Sequence, residues 1–208
     1  MTLVLEKARL RKECRKIRRA HFRGIGPQGQ RRAAEALREQ AMGTEGPFGL
    51  NKFEIRTERP LIVAGYWPRQ SEIDPRLLMA KLAEFGHELA LPAITGEGQP
   101  LVFRKWAPGV DLDVGFFEIP VPCESAEIVA PDVALVPMIG FDPMRHRLGQ
   151  GGGYYDRTFA LKRPKLVIGL AFACQQVMDV PSGPGDAMMD YVVTDQTVFS
   201  PVASSTGV

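Results

Sequence analysis

Four glycines lie close together in the segment RLGQGGGYYDR, between an apolar run and the start of a predicted helix. Backbone without side chains can curl around an anion there, so that amide N–H groups and the positive end of a helix dipole converge on it. Arg147 would add a charge-assisted pair. The pattern predicts a phosphate cradle, and a turn whose glycines serve only steric needs is the simpler alternative. The glycines are Gly149, Gly151, Gly152 and Gly153.

The cradle matches neither of two widespread nucleotide motifs. A Walker A loop requires Gly-Lys-Ser/Thr after the glycines, and a Rossmann fingerprint requires glycine where Tyr154 stands. The function of the glycine loop must therefore be inferred from the residues that flank it.

Carboxylates near the cradle could hold Mg²⁺. Asp156 falls in the first turn of the following helix, where the dipole stabilises a carboxylate even if it only caps the helix. Asp186 and Asp190 lie four residues apart in GDAMMD. Magnesium bound to a nucleotide commonly uses one or two carboxylates with phosphate oxygens and water. The sequence predicts an oxygen-held Mg²⁺, with capping as the alternative role of Asp156.

Cysteine and histidine usage excludes other site classes. The three cysteines are odd in number, far apart and without CxxC spacing, which argues against disulfides and thiolate metal sites. The three histidines form no HxxxH or HExxH pair, so a zinc hydrolase has no visible ligand set. No apolar run reaches the roughly eighteen residues that a bilayer span requires. We expect a cytoplasmic protein.

The net charge of +2 conceals an uneven distribution. Residues 6–38 hold twelve Lys or Arg and three acidic residues, a local charge of +9. A basic helix of this kind can serve nucleic acid, a membrane surface or a phosphate-bearing ligand, or be only a solvated face. Tyr154 and Tyr155 belong to the glycine segment and are not interleaved through the basic helix as base-stacking platforms. We expect a small-molecule ligand, with neither nucleic acid nor membrane as partner.

Apolar periodicity places these residues on alternating strands and helices. A strand, helix and strand at this spacing form the βαβ unit of a parallel sheet. We predict an α/β fold of three layers, with a mostly parallel sheet flanked by helices. Helices are predicted at 5–23, 30–42, 75–85 and 154–162, and strands at 61–66, 88–94, 101–106, 133–138 and 166–172.

The segments between these elements complete the predicted organisation. Residues 1–200 form a single domain with a basic N-terminal helix, and the small polar residues 201–208 form a disordered tail. Residues 43–59 are a polar loop, and 107–131 are an ordered loop rich in Pro and Gly. Phe103 and Trp106 could line a pocket, but core packing is the better prediction for strand aromatics.

The string LVPMIGFDPMRHRLGQGGGYYDR closely resembles the signature of the 5-formyltetrahydrofolate cyclo-ligases, also called methenyltetrahydrofolate synthetases. The likeness extends over residues 6–196. It includes the pattern K-x-x-L-R at Lys7, Leu10 and Arg11, the segments AGYWPRQSEID and LALPAI, and GDAMMDYVVTD.

The resemblance implies a fold like that of sugar-phosphate isomerases and CoA transferases, binding MgATP and a reduced folate. It implies catalytic roles for Arg147, Tyr154 and Asp156, and magnesium ligation by Asp156 and Asp186. The implied nucleotide contacts are Lys7, Arg11, Arg147, Leu148, Gly149, Gln150, Gly151, Gly152, Gly153, Tyr154 and Tyr155. The implied folate contacts are Trp67, Glu72, Gln150, Gly151, Gly152, Gly153 and Tyr154. Arg15 and Arg18 continue the basic face.

The implied activity is ATP- and Mg-dependent closure of a ring on 5-formyltetrahydrofolate. A formamide is a poor electrophile, so the γ-phosphoryl group would pass to the formyl oxygen. The N10 amine would attack the activated carbon, giving 5,10-methenyltetrahydrofolate, ADP and phosphate. Positioning and charge stabilisation would carry the catalysis.

Several positions depart from the family pattern. The family commonly has Gly at Arg145, an aromatic or basic residue at Gln150 and His at Gly185, and Val121 replaces the Glu of a Gly-Ile-Pro-Glu-Pro stretch. The alternative is therefore an inactive or repurposed relative that binds nucleotide or folate without ring closure. The oligomeric state, monomer or homodimer, stays open.

Overall fold

The computed structural model describes residues 2–49 and 59–201. Most of the predicted tail and residues 50–58 of the predicted loop lie outside these ranges. The helices described are α1 (Leu3–Met42), α2 (Arg76–Glu84) and α3 (Tyr154–Leu161). The strands are β1 (Ile62–Ala64), β2 (Glu88–Ile94), β3 (Leu101–Trp106), β4 (Asp113–Val114), β5 (Pro120–Val121), β6 (Ile128–Val129), β7 (Val133–Pro137), β8 (Gly140–Phe141), β9 (Arg147–Leu148), β10 (Leu166–Ala171), β11 (Tyr191–Thr194) and β12 (Val198–Phe199).

Eight strands form one sheet in the order β12-β11-β10-β7-β1-β2-β3-β6. The five neighbouring strands β11, β10, β7, β1 and β2 run parallel. The outer strands are antiparallel: β12 pairs with β11 at one edge, and β3 pairs with β2 and with the other edge strand, β6. The mostly parallel sheet predicted from the βαβ spacing is therefore confirmed, and so are the five strands assigned from the sequence.

Helices cover both faces of this sheet. Along β7, Val133 and Leu135 pack into a core cluster with α1 and α2, while Ala134 and Val136 pack into a second cluster with Phe159 of α3. Side chains alternate between the faces of a strand, so a strand buried on both faces reads as one apolar run. The three-layer arrangement follows from that alternation.

The N-terminal helix bends where the sequence predicts a break. Gly26 has φ 60° and ψ −178°, and Pro27 follows within α1. Proline donates no backbone hydrogen bond and disfavours helical geometry in the residue before it. The two predicted helices therefore join directly at Gly26. The C-terminal part packs Leu37 and Ala41 into the core, which leaves the basic N-terminal part for the site.

Several short strands of the structure have no clear pattern in the sequence. Strands β8 and β9 form a hairpin whose turn contains Arg145 at φ 71°, a conformation that favours glycine. Its Nε donates to the Met189 carbonyl oxygen at 3.3 Å, and its Nη1 donates to that of Ser200 at 2.9 Å. Arg145 thus occupies a left-handed position and fastens the hairpin to the C-terminal strands. Strands β11 and β12 were also unassigned, because their runs are short.

The prediction that the strand aromatics belong to the core is confirmed. Phe103 and Trp106 are buried, and Trp106 Nε1 donates to the Val110 carbonyl oxygen at 3.1 Å, so both belong to the core. The three cysteines are free thiols. Within residues 2–49 and 59–201, every helix is too short or too polar to cross a bilayer.

Candidate active site

A cavity of about 550 Å³ opens at the carboxyl ends of β1, β2 and β7, beneath the N-terminal part of α1. Ligands of open α/β sheets bind at this edge, and the volume is typical of a small-molecule site. Pro92, Ile94 and Pro137 form part of its floor. Every site residue that the family resemblance implies lines it: Lys7, Arg11, Trp67, Glu72, Arg147, Leu148, Gly149, Gln150, Gly151, Gly152, Gly153, Tyr154, Tyr155, Asp156 and Asp186.

The glycine loop connects β9 to α3 along one wall. Gly151 has φ 108° and Gly153 has φ 65°, conformations that L side chains rarely adopt. Gly153 ends the loop in left-handed geometry immediately before α3 begins at Tyr154. The loop therefore needs glycine at these positions for its path, and it delivers the α3 N-terminus to the cavity.

Basic side chains of α1 reach this loop from across the cavity. Arg11 Nε donates to the Gly149 carbonyl oxygen at 2.9 Å, and Arg15 Nη2 donates to that of Gln150 at 2.9 Å. Lys7 and Arg11 are four residues apart, so they share one face of the helix, and both line the cavity. Lys7 Nζ contacts Asp186 Oδ2. Three cations from one helical face thus meet the glycine loop and the acidic segment.

Arg147 and Asp156 bracket the loop and bind each other. Arg147 Nη2 lies 2.7 Å from Asp156 Oδ1, which also accepts from the Ala187 amide at 3.1 Å. The Arg147 Cζ lies 5.6 Å from the centroid of the Tyr155 ring, and its buried Nε has no hydrogen-bond partner in the described residues. One buried guanidinium N–H therefore remains unsatisfied beside the cradle.

Of the two alternatives for a second carboxylate, only Asp186 faces the cavity. Asp190 accepts from the Val167 amide of β10 at 2.6 Å and from Arg163 at 2.9 Å, so its carboxylate stabilises the sheet. Burial alone would raise the pKa of Asp186, but hydrogen bonds from Lys7 and the Gly183 amide outweigh it and lower the pKa overall.

The fit to a magnesium ion can be judged from these donors. Asp156 Oδ2 and Asp186 Oδ1 carry no hydrogen bond within the described ranges, so each carboxylate keeps one oxygen for a ligand. The same ranges contain no cluster of three or more His, Cys, Asp or Glu that could hold a metal. The donors fit an ion that takes its remaining ligands from phosphate and water.

At the other end of the cavity, Glu72 is 8 % exposed. Its Oε2 accepts from the Arg69 amide at 2.9 Å, and its Oε1 accepts from Gln150 Nε2 at 3.1 Å. Burial raises the pKa of Glu72, and the Arg69 hydrogen bond and the charge of Arg18 oppose that effect. Glu72 is therefore a buried carboxylate and not a solvent-facing loop acid.

Aromatic side chains wall the cavity near Glu72. Trp67 lies between Arg76, whose Cζ is 4.9 Å from the ring centroid, and Trp106, whose ring centroid is 6.0 Å away. Phe116 and Phe117, which the sequence analysis did not identify, also line the cavity. Phe117 has φ 56°, so the chain turns sharply to present it. The sequence feature that could have identified them is a pair of adjacent aromatic residues in a loop rich in Pro and Gly.

Comparison with known proteins shows what this chain is similar to. The sequence model of the 5-formyltetrahydrofolate cyclo-ligase family matches residues 4–195. A 5-formyltetrahydrofolate cyclo-ligase from Mycolicibacterium smegmatis is 32% identical over 176 residues, covering 80% of this chain and 88% of that one. The Escherichia coli K12 protein of that name is 28% identical over 181 residues, covering 82% and 97%.

Solved structures extend the likeness to the fold. The NMR structure of Aquifex aeolicus 5,10-methenyltetrahydrofolate synthetase superposes with a TM-score of 0.74 at 28% identity, covering 97% of this chain and 95% of that one. The Mycoplasma pneumoniae 5,10-methenyltetrahydrofolate synthetase superposes with a TM-score of 0.67 at 20% identity, covering 92% and 99%.

Proposed function

The chain belongs to the 5-formyltetrahydrofolate cyclo-ligase family, and on that premise we propose that its cavity converts 5-formyltetrahydrofolate and ATP to 5,10-methenyltetrahydrofolate, ADP and phosphate. One observation carries the proposal. A glycine cradle with converging cations and a buried carboxylate with aromatic walls share a single cavity of about 550 Å³. The two substrates would therefore meet in one enclosure, as direct phosphoryl transfer requires.

We propose that the phosphates of ATP occupy the glycine-loop end. Lys7, Arg11 and Arg15 currently contact an aspartate and loop carbonyl oxygens. Phosphate oxygens would compete for the two guanidinium groups as stronger partners, because a negatively charged oxygen attracts a cation more strongly than a neutral carbonyl oxygen does. The Nε of Arg147, which has no hydrogen-bond partner among the described residues, supplies another donor there. Leu148 to Tyr155 would contribute backbone amides and side-chain contacts.

We propose that the folate ring occupies the end formed by Glu72 and Trp67. A pterin presents adjacent N–H donors, which an ionised carboxylate can accept together. Trp67, Tyr154 and Phe117 offer apolar faces to the ring system. Gln150 hydrogen-bonds Glu72 at 3.1 Å and must give up that bond when the pterin arrives.

ATP supplies the phosphoryl group that makes the formyl oxygen a leaving group. Arg147 would stabilise charge on the transferring group, and Asp156 would hold Arg147 in its present orientation. Tyr154, at the start of α3, would fix the substrate against the glycines. We propose no covalent intermediate on the protein, because fixed donors and orientation are sufficient for phosphoryl transfer.

We propose Asp156 and Asp186 as the carboxylates that would hold a nucleotide-bound Mg²⁺. The support is chemical: each has one oxygen without a hydrogen bond in the described ranges, and both line the cavity. A bound ion would neutralise phosphate charge and orient the γ-phosphoryl group.

Four further expectations remain part of the proposal. They are that residues 1–200 form one domain, that the fold is related to sugar-phosphate isomerases and CoA transferases, that the protein acts in the cytoplasm, and that it is a monomer or a homodimer. Strands β11 and β12, which continue the central sheet to residue 199, support the first. Three free cysteines support the third.

The test is absorbance at the methenyl-folate band while the purified protein is mixed with 5-formyltetrahydrofolate, ATP and Mg²⁺. An increase that requires protein and all three additions supports the proposal. No increase, with ATP or folate still bound in calorimetry, would contradict it and favour a binding protein. In that case Arg145, Gln150 and Gly185 would be the first residues to change to the family pattern.

A further inference from the structure

Arg18 is a buried cation that the predicted site did not include. It is 3% exposed, although it belongs to the basic half of α1, where Arg19 and Lys16 are exposed. Burying a guanidinium costs free energy unless its donors are paired. Its position in the interior therefore requires specific partners.

Those partners lie on two elements that border the cavity. Arg18 Nε donates to Ser71 Oγ at 3.1 Å, and Nη1 donates to the Met138 carbonyl oxygen at 3.2 Å. Nη1 also lies 3.9 Å from Glu72 Oε1. The same Met138 oxygen accepts from Gln175 Nε2 at 2.7 Å. Arg18 thus joins α1 to the loop after β1 and to the end of β7.

The helical spacing explains how one face serves both ends of the cavity. Lys7, Arg11, Arg15 and Arg18 are separated by four, four and three residues, so they form one stripe. The first three reach the glycine loop and the acidic segment, while Arg18 turns inward beneath them. The last member of the stripe, Arg18, therefore lies beside Glu72.

Glu72 has few other charged partners. Its hydrogen bonds come from a backbone amide of Arg69 and from the neutral side chain of Gln150. Within residues 2–49 and 59–201, Arg18 is the cation that lies within 4.0 Å of its carboxylate. At 3.9 Å the contact is electrostatic, and the hydrogen bonds to Ser71 and Met138 fix where that charge lies.

We propose that Arg18 is a positioning residue for folate recognition: its guanidinium, locked by Ser71 and Met138, holds the Glu72 carboxylate in place and ionised. The inference rests on the proposed function, since it assumes that Glu72 receives the pterin. It adds a residue that touches neither substrate and acts through Glu72.

Charge around Glu72 sets the pH dependence that follows. The groups facing it are Arg18 from α1, Arg69 from the loop after β1, Tyr66 at the end of β1 and Tyr155 from α3. Burial raises the pKa of Glu72, and Arg69 and Arg18 oppose the rise. Burial also raises the pKa of Tyr66 and Tyr155, so both rings stay neutral. Removing Arg18 therefore raises the pKa of Glu72 further.

The experiment compares Arg18→Met, Arg18→Lys and the control Arg19→Met in the cyclisation assay, as kcat/KM for 5-formyltetrahydrofolate against pH. Arg19 is exposed, and its Nη2 contacts Gln70 at 3.5 Å, so the control removes a neighbouring charge from the same helix. We expect Arg18→Met to raise the folate KM about tenfold or more at neutral pH and to move the acid limb upward. Arg18→Lys should move the acid limb by a smaller amount. Arg19→Met should have the folate KM and the pH profile of wild type.

A second comparison separates positioning from stability. In a Glu72→Gln background, Arg18→Met should cause little further rise in the folate KM, since there is no carboxylate left to hold. An equal loss of kcat/KM at every pH, or an additive loss in the double variant, would overturn the inference. If Arg18→Met fails to fold, an unshifted acid limb in Arg18→Lys overturns it as well. An inactive wild type would instead overturn the proposed function.

Discussion

Arg147 and Asp156 form an ion pair across the glycine loop, with Nη2 and Oδ1 2.7 Å apart. The sequence had assigned one to phosphate and the other to magnesium. Their pairing means that each holds the other in place before a ligand arrives. Arg147 is 5% exposed at its side chain, so the pair also closes the wall beneath Tyr155.

Arg147→Ala should reduce kcat/KM for ATP about 100-fold, the usual effect of removing a donor from a charge-stabilising site. Arg147→Lys should recover part of this loss, because lysine keeps the charge without the planar fork. Both variants should lose much less thermal stability, measured as the unfolding temperature, than catalytic activity. Lys162→Ala, an exposed change just after α3, is the control. Unchanged steady-state kinetics in Arg147→Ala would remove its assigned role.

Glu72→Gln should raise the KM for 5-formyltetrahydrofolate about tenfold or more while leaving the KM for ATP within about twofold. An ionised Glu72 accepts the pterin donors, so folate binding is present above its pKa and lost as the pH falls through it. Since burial raises that pKa, the wild-type acid limb should lie above the ordinary carboxyl range. The limb should disappear in Glu72→Gln, and a variant that keeps it would show that another group titrates.

Gly153→Ala and Gly98→Ala form a matched pair. Both glycines have positive φ, 65° and 72°, so an alanine in either should cost about 1–2 kcal/mol of unfolding free energy. Only at Gly153 would the new Cβ press on a side chain, Arg157 Nη1 at 2.7 Å, beside the cradle. ATP use should fall in Gly153→Ala and stay at the wild-type level in Gly98→Ala. Equal kinetics in the two variants would argue against a cradle.

Substitutions of Arg145 test the departure from the family's glycine. Arg145→Gly relieves the left-handed conformation but removes the bonds to Met189 and Ser200, so these effects partly offset. Arg145→Ala keeps the strain and loses the same bonds. We expect the free energy of unfolding to be highest for wild type, lower for Arg145→Gly and lowest for Arg145→Ala, with the two variants about 1 kcal/mol apart. Chemical denaturation measures the order, and Ala equal to or above Gly would contradict the strain argument.

Asp186→Asn should raise the half-saturating Mg²⁺ concentration about tenfold in the cyclisation assay. Its lowered pKa also has a stability consequence: the contribution is present above the pKa of the unfolded chain and lost as the pH falls through the folded one. Wild type should therefore exceed Asp186→Asn in stability at neutral pH, with the difference shrinking in acid. Asp190→Asn, which changes a carboxylate outside the cavity, should leave the Mg²⁺ requirement unchanged.

The sequence by itself determined the longer elements of the sheet and its helices, and the chemistry of the glycine loop. Runs such as LVIGLAF at β10 are apolar on both faces, and Asp74 with Pro75 indicates the start of a helix, so local composition is sufficient to predict them. Gly151 and Gly153 are legible for the same reason, since only glycine readily takes their backbone conformations. The break at Gly26 and Pro27 was likewise visible locally.

Tertiary structure alone decided which side chains meet. Arg18 reads as one more member of a basic helix, and only the approach of Ser71, Glu72 and Met138, 53 to 120 residues away along the chain, buries it. Tertiary structure also decided the strand order and the roles of Phe116 and Phe117. It decided as well that Asp186, and not Asp190, faces the cavity. Partner choice depends on long-range packing, because a side chain's burial and charge environment are set by segments that its local sequence does not specify.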